Sequence, residues 1–268
     1  MAHVLNNPPA TWICQCGREE HNQGALPAGW EWRGSVLLCD DCLRIAAFSH
    51  GQDRADLRPA ATPVRHAGKP DDTTSILLRS GAYLDLADPD CTRIAAVDIA
   101  AGLRQFRFAA QTREAYTIAQ HSLLVLQLVE RVECGSATKN KLRWCALLHD
   151  AAEAFLHDIT RPLKCQLPDY KRIEQMFEAR FANAFDIPWT ANRHQLVKRA
   201  DLQALAIEKR DLCPRPADDR PWLHLAGIPA SEQFRISRVW SPAEAEERFL
   251  ETFHKLRPIP AAQQEIAA

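Results

Sequence analysis

Residues 142–164 read LRWCALLHDAAEAFLHDITRPLK. Two His-Asp pairs, His149-Asp150 and His157-Asp158, lie eight residues apart with Glu153 between them, amid Leu, Ala, Phe and Trp. Read as one helix, the stretch puts His149, Glu153 and His157 on a single face at four-residue steps. Asp150 is adjacent and Asp158 falls just past the end. Working outward, the segment EAYTIAQHSLLVLQLVERV places His121 on the apolar face of Ile118, Val125, Leu128 and Val132. Further on, Asp201 shares a face with Val197, Ala204 and Leu205.

Each of these residues has a plain structural reading when taken alone. His121 could be a core histidine, Asp201 an ion pair with Lys198 or Arg199, and Glu153 a partner of a surface arginine. Together they point inward from three successive helices. Burying isolated carboxylates costs several kcal/mol. A divalent cation removes that cost, and two imidazoles with two carboxylates suit an octahedral N/O site with positions left for water and substrate.

The rest of the chain reads as all-α. Helical patterns recur in RIAAVDIAAGLRQF, YKRIEQMFEARFANAF and NRHQLVKRADLQALAIEKRDL, and no stretch reads as a multi-stranded sheet. The final helix, SPAEAEERFLETFHKL, opens with Ser241 as N-cap, Pro242 at the first helical position and Glu244 closing a capping box. This helical domain runs over residues 76–268. Before it, residues 49–75 lack apolar periodicity and read as a linker.

Residues 1–48 form a separate small module. Cys14 and Cys16 make one close pair, Cys39 and Cys42 another, with 22 residues between the pairs. Four thiolates so spaced suit a structural zinc ion at about 2.3 Å per sulfur, with His21 or His50 able to replace one thiol. The metal would supply much of the folding energy of so small a segment. Arg18, Arg33 and Arg44 are outnumbered there by Glu19, Glu20, Glu31, Asp40 and Asp41, which argues against a grip on nucleic acid. A structural or partner-docking ribbon is the expectation.

Composition excludes other classes. The 268 residues carry 33 Lys and Arg against 34 Asp and Glu, a balance that disfavours nucleic-acid binding through bulk charge. No apolar run is long enough to span a bilayer, and MAHVLNNPPATW lacks the pattern of a secretory signal. Four of the nine cysteines cluster instead of spreading as a disulfide framework. A cytoplasmic location is expected.

The order His121, His149-Asp150, Asp201 resembles the HD-domain metal-dependent phosphohydrolase superfamily. The text SGAYLDLADPD, RFAAQTREAYTIAQHS and LLHDAAEAFLHDITRPLK sharpens the likeness to its nucleotide-hydrolysing branch. That branch includes bacterial 5'-deoxynucleotidases and phage deoxynucleoside triphosphohydrolases. The likeness covers roughly residues 79–256, and the pattern H-D-x-x-E-x-x-x-x-D makes it specific. The resemblance implies an HD-domain helical bundle in which His121, His149, Asp150 and Asp201 bind one divalent cation, with Mn, Co, Zn, Fe and Mg all open. It implies catalytic roles for Glu153, at the attacking water, and Asp158, at the water network or a sugar hydroxyl. Arg107, Arg113 and Lys164 are the phosphate-binding candidates, and His157 receives no role. A nucleotide substrate and a homo-oligomer are expected. Similar phage sequences carry a glycine after the positions of Arg107-Phe108, where this chain has Ala109-Ala110. Two other classes remain in view: a nucleotide sensor without turnover, and a zinc-ribbon adaptor using the helical domain as scaffold. Retention of Glu153 and Lys164 favours the enzyme.

Overall fold

The structure, a computed structural model, describes residues 10–13, 19–22, 31–33, 36–38, 74–218 and 222–258. The chain divides into two compact units, Met1–Ala60 with Pro216–Gly227, and Ala61–Arg215 with Ile228–Ala268. In the first unit β1 (Ala10–Ile13) pairs antiparallel with β2 (Glu19–Asn22), and β3 (Glu31–Arg33) with β4 (Val36–Leu38). Cys14, Cys16, Cys39 and Cys42 lie outside the described residues, as does the expected linker up to residue 73.

Among the described residues the second unit opens with strands, not with the helical run expected from Ile76. β5 (Ser75–Leu77) and β6 (Tyr83–Asp85) form an antiparallel hairpin with Leu77 opposite Tyr83. Its turn closes through Leu78 N–H to Ala82 O at 2.8 Å and places Gly81 at φ +86°, a conformation that costs only glycine little. Asp98 anchors the hairpin. Buried in α1 (Ala96–Gly102), its carboxylate accepts from the backbone N–H of Ser80 at 2.7 Å and of Ala95 at 2.8 Å.

The remaining elements are helical. They are α2 (Ile118–Val129), α3 (Ser136–Leu147), α4 (Glu153–Leu156), α5 (Arg161–Lys164), α6 (Pro168–Ala184), α7 (Ala191–Asp211) and α8 (Pro242–Leu256). Among the described residues the protein is thus mostly helical. α2 is the central element: every residue in it but Gln127 is buried. It packs against α3, α7 and α8, while α1 packs against α4 and α8. A helix buried all round needs apolar residues on all sides, and IAQHSLLVLQLV supplies them. At its other end the core is aromatic. The Trp144 and Phe253 ring centroids lie 5.0 Å apart, and Trp144 Nε1 donates to Phe185 O at 2.9 Å. The α8 cap forms as read, with Ser241 Oγ accepting from Glu244 N–H at 3.2 Å. The return half of the capping box is replaced: the Glu244 carboxylate accepts instead from Arg238 and Arg248.

The stretch 142–156 is not one helix. α3 ends at Leu147, and a tight turn follows before α4. Ala151 N–H bonds to Leu148 O at 3.2 Å and Glu153 N–H to Asp150 O at 3.0 Å, three-residue spacings that overwind the chain. His157, expected on the face of His149 and Glu153, sits past the end of α4 at φ +67° and is exposed.

Gly102 sets how closely α1 approaches α4. A Cβ there would lie 2.3 Å from Ala154 O and 2.6 Å from Ala154 Cβ. Gln105, just beyond α1, donates to Glu153 O and Ala154 O, both at 3.3 Å. Gly102→Ala is therefore expected to destabilise the protein by about 1–3 kcal/mol, the usual scale of core overpacking. Chemical denaturation checks this; an unchanged midpoint would show that α4 can move aside without cost.

Candidate metal centre

His121 is fully buried on α2, and His149 and Asp150 occupy the turn that ends α3. One ligand atom from each of the three lies within 4.8 Å of the others, the sole such group among the described residues. His121 Nε2 and His149 Nε2 are 3.3 Å apart. Asp150 Oδ2 is 3.3 Å from the first and 3.2 Å from the second. The broken helix is what allows this. The overwound turn lets two adjacent residues present ligand atoms to one point, which a continuous helix would separate by about 100°.

The rings are held from behind. His121 Nδ1 contacts Glu208 Oε1 at 2.6 Å, and His149 Nδ1 donates to Ala146 O at 2.8 Å. With both Nδ1 atoms engaged, both Nε2 lone pairs face the shared point alongside a carboxylate oxygen. Two ring nitrogens and a carboxylate oxygen converging on one point, with the Arg107 guanidinium on the carboxylate oxygen alone, fit a cation. Spacings of 3.2–3.3 Å also match neighbouring ligands around one ion at bond lengths of roughly 2.0–2.2 Å. The mixed N/O donor set suits a divalent cation without selecting which one. Asp201 on α7 stands at the edge of the trio. Its Oδ1 is 3.4 Å from His121 Nε2, while Oδ2 accepts from Lys198 Nζ at 2.8 Å. The plain reading of Asp201 as a lysine partner and its expected place beside His121 therefore both describe it, one per oxygen.

The electrostatics agree. Burial pushes the Asp150 carboxyl upward, but His149 and His121 outweigh it and hold it well below the usual range. Asp201 is likewise lowered despite burial, by Lys198 and His121. Burial and the Arg107 guanidinium oppose charge on His121, yet Glu208, Asp150 and Asp201 raise its pKa well above the ordinary value. The surrounding carboxylates thus favour positive charge at the point between the rings.

Glu153 is set differently. Burial, then the charges of Asp150 and Asp158, drive its carboxyl well above the usual range. Its Oε2 is buried with no hydrogen-bond partner among the described residues, and Oε1 lies 3.9 Å from Lys164 Nζ. Lys164, on α5, is held chiefly by Glu174 at 2.6 Å. Arg107, nearly buried, reaches Asp150 Oδ2 at 3.2 Å through Nη1. Asp158, partly buried, acts electrostatically on both Arg107 and Glu153. Arg113 is exposed, its backbone N–H bonds to Leu212 O, and its guanidinium acts on the Cys213 thiol. The loop after Arg107 adopts left-handed φ at Phe108, Ala109 and Ala110 (+56°, +50° and +60°), where glycine would be less strained. One site residue, Glu208, is not among the sequence candidates. Glu208 sits seven residues after Asp201 on the same helix, which was the available signal. Lys198 is the ion-pair partner of Asp201 that the sequence offers as an alternative to Arg199.

The second unit is, then, a helical protein with a His/Asp cluster fit for one divalent cation. Two curated proteins are similar to this chain. "Uncharacterized protein YfdR" of Escherichia coli (strain K12) is 39% identical over 161 residues, 59% of this chain and 82% of its own length. "Uncharacterized protein RCAP_rcc00048" of Rhodobacter capsulatus is 34% identical over 139 residues, 50% of this chain and 70% of its own length. The chain belongs to the YfdR family. No family model matches it. No helix among the described residues is long and apolar enough to cross a membrane.

Proposed function

We propose that this protein is a metal-dependent phosphohydrolase of the HD type acting on nucleotides, with deoxynucleoside mono- or triphosphates as the leading substrate class. The observation that carries the reading is the meeting of His121 Nε2, His149 Nε2 and Asp150 Oδ2 at one point, with Glu153 in the next turn of the chain. A cation held there by these three, with Asp201 in reach, would supply Lewis-acid polarisation of a phosphoryl oxygen and a lowered water pKa. The chain supplies the rest. Glu153, with its unpartnered Oε2, orients a water toward phosphorus and takes its proton. Arg107 and Lys164 meet the phosphate charge, and Asp158 binds the water network or a sugar hydroxyl. A monophosphate would yield nucleoside and phosphate; attack at the α-phosphorus of a triphosphate would yield nucleoside and triphosphate.

The same proposal takes the helical unit as an HD bundle and the first unit as a zinc ribbon. In sequence, Cys14 and Cys16 fall between β1 and β2, and Cys39 and Cys42 follow β4. A cytoplasmic homo-oligomer remains the expectation. The test is a panel of common NMPs, dNMPs, NTPs and dNTPs offered to the full-length protein with Mn²⁺, Co²⁺, Zn²⁺, Fe²⁺ or Mg²⁺, scoring phosphate and triphosphate release. Cation-dependent turnover of at least one deoxynucleotide, abolished by chelator, is expected. No release from any member with any cation would contradict the proposal.

A further inference from the structure

We infer that Glu208 is a positioning residue that fixes His121 as a metal ligand and holds Arg107 beside the same point, an inference that rests on the metal-dependent reading above. Glu208 lies on α7 and is fully buried. Its two oxygens face two different groups. Oε1 is 2.6 Å from His121 Nδ1, and Oε2 is 3.6 Å from Arg107 Nε. Arg107 Nη1 in turn reaches Asp150 Oδ2, which sits 3.3 Å from His121 Nε2. Glu208, His121, Asp150 and Arg107 therefore close a ring of alternating contacts, with the candidate cation position on its His121–Asp150 side.

A neutral residue could not hold this ring. A buried carboxylate costs several kcal/mol unless it is both hydrogen-bonded and matched by opposite charge. Glu208 meets the first through Oε1 and the second through Oε2, which faces the Arg107 guanidinium at 3.6 Å without a hydrogen bond. By accepting from His121 Nδ1–H it selects the tautomer with a free Nε2 lone pair, and its charge makes that lone pair more basic. Such outer carboxylates commonly change metal affinity by roughly 10–100-fold. His149 is held otherwise, by the neutral Ala146 carbonyl. The two imidazoles are thus unequal: one is backed by a full charge shared with an arginine, the other by a peptide dipole. Glutamine at 208 would keep an acceptor for Nδ1–H but give Arg107 no charge. Aspartate would keep the charge but fall about one C–C bond short of the His121 contact.

The test uses full-length, metal-depleted protein titrated with Co²⁺, reading affinity by calorimetry and ligand field by the visible absorption of the N/O-bound ion. Wild type, Glu208→Gln, Glu208→Asp and His149→Ala are compared. Both Glu208 variants are expected to bind Co²⁺ about 10–100-fold more weakly with a shifted absorption band, a signature that a purely structural ion pair would not move. Unchanged affinity and spectrum in a folded Glu208→Gln protein would overturn the inference while leaving the metal centre standing. If His149→Ala takes up Co²⁺ as wild type does, the metal-centre reading itself fails and the inference falls with it. Should the Glu208 variants not fold, the wild type decides. With ¹⁵N-labelled histidine, His121 is expected to carry its proton on Nδ1 and to shift at Nε2 on Zn²⁺ addition. An Nε2 signal that does not respond to Zn²⁺, or a ring that bonds the ion through Nδ1, would overturn the inference.

Discussion

Asp150→Ala protein is expected to lose its bound cation and its hydrolytic activity together. Asp150 Oδ2 approaches both ring nitrogens, at 3.3 Å and 3.2 Å, and it also accepts from Arg107. Removing it takes away the carboxylate ligand, leaves two imidazole lone pairs facing one another and frees the Arg107 guanidinium to turn toward them. The loss of affinity should exceed the roughly 10–100-fold typical of residues behind the ligands. Metal content after gel filtration and phosphate release on the same preparation check this. Wild-type turnover with a full equivalent of cation in Asp150→Ala would remove the trio from the account.

The second large effect is at Glu153, and its pattern is the opposite. Glu153 is beside the trio without belonging to it, and its Oε2 has no hydrogen-bond partner among the described residues. Glu153→Gln is therefore expected to keep the cation and to bind nucleotide, while kcat falls by about 10²–10⁴-fold, the usual scale for one acid–base group. A merely structural Glu153 would show the reverse, with lowered stability and near-normal turnover in the protein that stays folded. Measuring metal content, nucleotide affinity and kcat together separates the two. Unchanged kcat in fully metallated Glu153→Gln would move the test to Asp158.

The parts of the fold that could be read in advance were those with local signals. Ser241 caps α8, and the helix begins where its cap places it. The hairpin of β5 and β6 was missed because its strands are three residues each, too short for alternation to stand out against the apolar text around them. The break after Leu147 was illegible for a different reason. ALLHDAAEAFL holds no glycine or proline and has high helix propensity throughout. Tertiary contacts end the helix there: Asp150 bound to Arg107, and His149 drawn toward His121.

The site divides the same way. His121, His149 and Asp150 were legible because ionisable residues on apolar helix faces are costly without a partner, and the structure brings these three together. Asp201 arrives at the edge of the group, partnered also by Lys198. Glu208 was not legible, since a glutamate before Lys209 and Arg210 reads as part of a solvated helix end. Its burial depends on Arg107, which comes from a segment a hundred residues earlier.

The account's central claim is that a cation at His121, His149 and Asp150 is required for nucleotide hydrolysis. The most direct test follows product release from a turned-over deoxynucleotide while metal-depleted full-length protein is titrated with Mn²⁺, with bound ion counted by electron paramagnetic resonance. The account predicts no release at zero occupancy and a rise in proportion to bound Mn²⁺ that saturates when the trio is filled. Steady hydrolysis in the chelated, cation-free protein would contradict it.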